Sequence, residues 1–192
     1  MDVNVSGPYD GPMAVTDLGS KPAPGGASAD LDFDPIDRAR QQWVDAGWAE
    51  AADGMAAITS LMRAHQIVLA RVEATLKPLG VTFARYEVLM LLWFSKRGSL
   101  PMKVIGSRLQ VHPTSVTNAV DRLEDAGLVT RSTHPEDRRA YLVALTPSGR
   151  SLAERATAAL NTDVFERPQL ASGDVHALVD VLTRLRRDAG DF

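Results

Sequence analysis

The sequence predicts a mainly α-helical protein with a small β wing: a winged helix-turn-helix set in a helical homodimer. Three observations predict it. A helix-length segment opens on Pro113 and closes on Gly127, with Val116, Val120 and Leu123 at offsets of four and three along one stripe. Directly after it, Thr130 to Thr146 reads as a hairpin, because the apolar and β-branched runs Leu128–Arg131 and Ala140–Leu145 flank a charged stretch, His134 to Arg139. Finally, long amphipathic segments before and after this unit carry more apolar stripe than one small domain needs to bury, which suits a second copy.

The elements follow in chain order. Residues 1–33 are rich in Gly, Pro, Ser and Asp with little apolar periodicity and read as a disordered acidic tail. Residues 34–54 form an extra N-terminal helix, with Ile36, Ala39, Trp43 and Ala46 near one face, and Ala52-Asp53-Gly54 is expected to interrupt it. Met55 to Leu76 carries Ile58, Leu61, Met62, His65, Leu69, Val72 and Leu76 at helical spacing, closed by Pro78 and Gly80. Thr82 to Ser95 is apolar almost all round, as a buried central helix is. Met102, Ile105 and Leu109 mark a short amphipathic helix after Ser99-Leu100-Pro101, and Gln110-Val111-His112 is the turn into the Pro113 helix. Pro113 suits a first helical position, and Gly127 can take the positive φ that ends a helix. Beyond the hairpin, Leu152, Ala156, Leu160 and Val164 stripe a helix over Ser148–Phe165. Val175, Leu178, Val179, Leu182 and Leu185 stripe another over Ser172–Arg187.

The face of the Pro113 helix opposite its apolar stripe is short and polar. Ser115, Asn118 and Arg122 lie along it, beside Thr114, Thr117 and Asp121, a composition suited to base edges and phosphates in a major groove. The charged hairpin can deliver Arg138 or Arg139 to the adjacent minor groove, with Asp137 steadying a guanidinium by a bidentate pair. The formal net charge is −3, but the acidity is local. Residues 1–55 hold 3 basic against 10 acidic residues, whereas 56–102 hold 6 against 2 and 103–150 hold 7 against 5. The centre of the chain is therefore mildly basic, and Lys103, Arg108, Arg122, Arg131, Arg138 and Arg139 are its candidate phosphate contacts.

Other chemistries find little support. The absence of cysteine excludes thiol-based oxidation sensing. His65, His112, His134 and His176 stand far apart with no ligand spacing, so no metal site and no cofactor are expected. No phosphate loop, nucleophile elbow or clustered carboxylate pair points to an enzyme. No apolar run is long enough to span a bilayer and no secretory signal is visible, so no membrane association and a cytoplasmic location are expected. The rival reading is a winged helix used only for protein contact. The polar Ser115, Asn118, Arg122 face argues against it, since docking faces favour exposed aromatic and aliphatic residues.

Leu123-Glu124-Asp125-Ala126-Gly127-Leu128-Val129, then Pro135-Glu136-Asp137-Arg138-Arg139, then Leu145-Thr146-Pro147-Ser148-Gly149-Arg150, resemble the MarR family in combination and spacing. The resemblance covers roughly 55–187. It implies a MarR-type domain over 55–192, with the winged helix at about 82–147 and dimerisation helices at about 55–77 and 148–188. It also implies a non-enzymatic regulator that binds double-stranded DNA as a homodimer, most often a repressor on a pseudo-palindromic operator, released by a small aromatic or lipophilic ligand. The added helix bearing Trp43 is similar to the urate-responsive branch of that family, whose other site positions fall here on Glu87, Ala119 and Arg131. With alanine where that branch has arginine, urate is expected to be weak or inactive. The candidate effector contacts are Trp43, His65, Glu87 and Arg131.

Overall fold

The computed structural model describes residues 31–133, 135 and 140–192. Of the tail expected over 1–33, only Leu31, Asp32 and Phe33 fall among them. The chain divides into a first unit ending at Thr59 and a second, Ser60–Phe192.

In the first unit, α1 spans Pro35–Asp45. Asp34 caps it by accepting the Ile36 N–H at 2.8 Å, with Pro35 in the first turn, where no N–H partner is missed. The helix expected over 34–54 is in fact broken earlier than Gly54. Gly47 takes φ 88, its N–H donates to the Val44 carbonyl, and the Trp48 N–H donates to the Trp43 carbonyl, the paired bonds of a Schellman stop. The next helix, α2, spans Ala49–Leu76 and runs through Ala52, Asp53 and Gly54 without interruption. Arg40 Nε reaches Asp53 Oδ1 at 2.5 Å, and the Trp43 and Trp48 rings meet edge to face, centroids 5.4 Å apart.

In the second unit, a 3₁₀ turn at Lys77–Leu79 leads to α3, Phe83–Trp93, which Thr82 caps. Next come β1 (Ser99–Pro101), α4 (Met102–Leu109), α5 (Pro113–Asp125), β2 (Val129–Thr133), β3 (Tyr141–Leu145), α6 (Pro147–Leu160) and α7 (Ser172–Asp188). The sheet is antiparallel in the order β1-β3-β2, with Leu100 opposite Val143 and Arg131 opposite Val143 on the other edge. No sequence pattern marks β1 as a strand. Three residues ending in proline carry no periodicity, and pairing with β3 alone makes them one. The sheet and α3 through α6 enclose one core that includes Leu76, Val88, Leu89, Leu92, Ile105, Val120, Leu123, Val143 and Leu160.

Two apolar stripes depart from expectation. Leu152, Ala156, Leu160 and Val164, expected to help form an interface, are buried within this core. Past Leu160 the helix widens to π spacing over Asn161–Phe165, where Arg71 Nη2 donates to the carbonyls of Asp163 and Arg167. The α2 stripe divides: Val72 and Leu76 are buried, while Ile58 and Met62 are 58% and 59% exposed. On α7 nothing is buried, and Leu178, Val179, Val181 and Leu185 face outward.

Candidate nucleic-acid interface

The α5 helix is built to present one rigid polar face. His112 caps it, Nδ1 accepting the Thr114 N–H at 3.3 Å, and Val116, Val120 and Leu123 are fully packed on the inner side. Anchoring that side fixes the rotation of the helix, so Thr114, Ser115, Thr117, Asn118 and Arg122 are all exposed together. The Thr117 hydroxyl donates to the Pro113 carbonyl at 3.1 Å, which leaves its oxygen free to accept. Arg122 has no ion-pair partner among the described residues.

Neighbouring elements extend this face. Lys103 and Arg108 are exposed on α4. A groove of about 500 Å³ between α4 and α5 is lined by Met102, Lys103, Gly106, Gln110, Val116 and Thr117 among others, so Lys103 and Thr117 share one surface. The β1–β3 register sets Pro101 against Leu142, which brings the start of α4 beside the wing strands. Asp137, Arg138 and Arg139 lie outside the described residues.

Arg131 behaves differently from the other basic candidates. From β2 its Nη2 pairs with Asp121, its Nε lies 3.4 Å from Glu124 Oε2, and its backbone N–H donates to Glu124 Oε1 at 3.2 Å. Two carboxylates of α5 thus neutralise it, and the cation ties the wing to the helix. Asp121, which spacing had set at the edge of the reading face, is one of those carboxylates. The interaction bridges ten residues of chain, and no helical or strand period carries a signal for it.

The four candidate effector contacts are divided between the two units. Trp43 belongs to the first unit, and the other three to the second. His65 is exposed on α2. Glu87, on α3, is half-buried without an ion-pair partner among the described residues, and burial pushes its carboxyl above the usual range. Among the described residues no group of His, Cys, Asp and Glu is arranged to hold a metal, and no helix is long and apolar enough to cross a membrane.

The Glu87 shift predicts a pH effect. Because the folded pKa lies above the unfolded one, folded-state stability falls as pH rises through that interval. Glu87→Gln is therefore expected to melt higher than the parent at pH 7, with the gain vanishing below about pH 4, where both forms are neutral. Melts across pH 4 to 8 check this, and a lower melting temperature at pH 7 contradicts it.

Comparison with known proteins agrees with this geometry. Residues 81–141 match the MarR family. An organic hydroperoxide resistance transcriptional regulator of Bacillus subtilis is 36% identical over 81 residues, 42% of this chain and 54% of the relative. The transcriptional repressor MdtR of the same organism is 36% identical over 90 residues, 47% of this chain and 57% of the relative. The chain thus spans little more than half the length of these curated relatives. Among solved structures, the transcriptional repressor CouR bound to a 23-mer DNA duplex superposes with a TM-score of 0.61 at 27% identity, covering 66% of this chain and 89% of that one. A MarR family transcriptional regulator from Streptomyces coelicolor superposes with a TM-score of 0.66 at 49% identity over 73% of this chain and 97% of its own. With sequence identity of that order along nearly the whole of a solved member, this chain belongs to the MarR family.

Proposed function

We propose that this chain is a cytoplasmic, non-enzymatic transcriptional regulator that reads double-stranded DNA as a homodimer and acts as a repressor. The observation that carries the reading is the α5 face: Ser115, Asn118 and Arg122 exposed on a helix whose opposite side is locked into the core, with Lys103 and Arg108 beside it. A rigid helix with short hydrogen-bonding side chains fits a major groove, and basic neighbours meet the phosphates. The MarR relative CouR, solved on a DNA duplex, supports the same use of this fold. A gel shift on DNA upstream of the chain's own gene, with and without scrambled competitor, tests it. Equal affinity for both DNAs removes sequence-specific reading.

The dimer reading rests on the bare apolar faces of α2 and α7, which would otherwise stand in water. Two copies related by a twofold axis present recognition helices about 34–36 Å apart, one duplex turn, and therefore read a pseudo-palindrome. Val179→Asp, on the open face of α7, is expected to shift sedimentation from two chain masses to one at micromolar concentration. A parent chain that sediments as a monomer contradicts the proposal.

Release by a small aromatic or lipophilic effector completes the proposal, with Trp43, His65, Glu87 and Arg131 as the residues to vary. A ligand lowers operator affinity only by its preference for the form that fits DNA poorly. Screening phenolic and purine compounds by tryptophan quenching and gel shift tests it. Binders that release DNA regardless of all four substitutions place the effector elsewhere.

A further inference from the structure

The turn between α4 and α5 is gripped by a segment 76 residues further along the chain. Gln110 sits in that turn at φ 55, a left-handed conformation that a residue with a Cβ enters at a cost. Its side-chain amide is occupied at both ends. Arg186 Nη2 donates to its Oε1 at 3.2 Å, and its own Nε2 donates to the Asp191 carbonyl. Arg186 also holds Asp191 Oδ2 through Nε at 2.6 Å and lies 5.1 Å over the Phe192 ring. Behind this, α7 ends in a Schellman stop at Gly190, where the Asp191 N–H donates to the Arg186 carbonyl and the Gly190 N–H to the Arg187 carbonyl. That stop folds Asp191 and Phe192 back over the last turn, which is why the Asp191 carbonyl meets Gln110.

No residue of α7 is buried, so the core does not carry the end of this helix to the turn. Exposed polar pairs are individually weak, but here two converge on one residue, two positions before the His112 cap of α5. We infer that Gln110 and the end of α7 form a strut that positions the recognition helix. The inference rests on the DNA-reading function proposed above. Gln110 is a positioning residue in it, acting through the start of α5. The same α7 bears the exposed Leu178, Val179, Val181 and Leu185, so a second copy seated there is linked to the reading face through a physical contact at each step.

The strut is tested with Gln110→Leu, Gln110→Gly, Gln110→Glu, Arg186→Ala and, as a charge control, Arg187→Ala, which removes the same charge without touching Gln110. Gln110→Leu and Arg186→Ala are each expected to weaken operator binding about five-fold, with the double variant no worse than either alone. Arg187→Ala is expected to bind like the parent, whereas Gln110→Glu keeps the acceptor for Arg186 but loses the donor to the Asp191 carbonyl and is expected to weaken binding as well. Gln110→Gly relieves the left-handed backbone, so it should melt no lower than the parent and still bind DNA less tightly, a split that a purely structural role would not produce. Amide exchange at Val116 and Thr117 in the free protein should quicken in Arg186→Ala, a readout independent of DNA. Unchanged exchange overturns the strut, as does operator binding that is unchanged, tighter, or weakened only in step with melting temperature. Failure of the parent itself to prefer operator DNA overturns the DNA reading instead, and exchange then decides the strut alone.

Discussion

Gly149→Ala is expected to be the most damaging conservative change in the winged domain. A Cβ at that position would lie 1.9 Å from the Leu128 carbonyl oxygen and 2.9 Å from its carbon, with Leu145 Cδ2 at 3.2 Å. The obstacle is backbone, which cannot swing aside as a side chain can. It is also pinned, because the Leu128 carbonyl accepts the Thr146 N–H at 3.1 Å. The Thr146 hydroxyl donates to the Gly127 carbonyl at 2.8 Å and accepts the Gly149 N–H at 3.0 Å. One knot therefore joins the end of α5, the approach to β2, the exit of β3 and the first turn of α6. Forcing it apart is expected to cost about 3 kcal/mol, the top of the usual overpacking range, and to lower the melting temperature by about 6–12 °C in a chain of this size. Gly54→Ala is the contrasting control. Its Cβ meets nothing within 4 Å inside α2, so the same chemical change is expected to stabilise by about 0.5–1 kcal/mol. A Gly149→Ala protein that melts with the parent contradicts the packing of α6 against this knot.

Replacing Asn118 and Arg122 together by alanine is expected to reduce operator affinity on the order of 100-fold, since each good base or phosphate contact contributes roughly 1–3 kcal/mol. Both side chains are exposed, so folding should change by no more than about 0.5 kcal/mol. The two single variants are expected to differ in kind. Asn118→Ala should narrow the ratio between operator and a one-base variant. Arg122→Ala, if it meets a phosphate, should weaken all sequences alike and flatten the salt dependence by about one unit of slope. Arg138→Ala and Arg139→Ala in the wing are expected to follow the Arg122 pattern. Operator binding by the double variant at parental strength, measured at one salt concentration, removes α5 as the reading helix.

Much of the α5 face could be read from the chain because it is written in local terms. Pro113 and Gly127 bound α5 through backbone chemistry that acts within a residue or two. Val116, Val120 and Leu123 set its buried side through the 3.6-residue period, which at once leaves Ser115, Asn118 and Arg122 outside. The break before α2 falls at Gly47 and not at Gly54, although both glycines are equally permissive in isolation. Only Gly47 has a following residue, Trp48, whose N–H reaches back to the Trp43 carbonyl.

Periodicity and turn chemistry, which are properties of neighbours along the chain, are enough to mark most of the helical segments, the free face of α5 and the two strands of the hairpin. Which apolar stripes are consumed inside one chain and which stay bare was decided only in three dimensions. The α6 stripe and the α7 stripe look alike, yet the first is sealed against α3 and the sheet while the second faces water. Tertiary structure alone also made a strand of Ser99–Pro101, assigned Arg131 to Asp121 and Glu124, and brought Arg186 and Asp191 to Gln110. The physical reason is the same in each case: hydrogen bonds and ion pairs between distant segments depend on how the elements are packed, and no spacing along the chain encodes that.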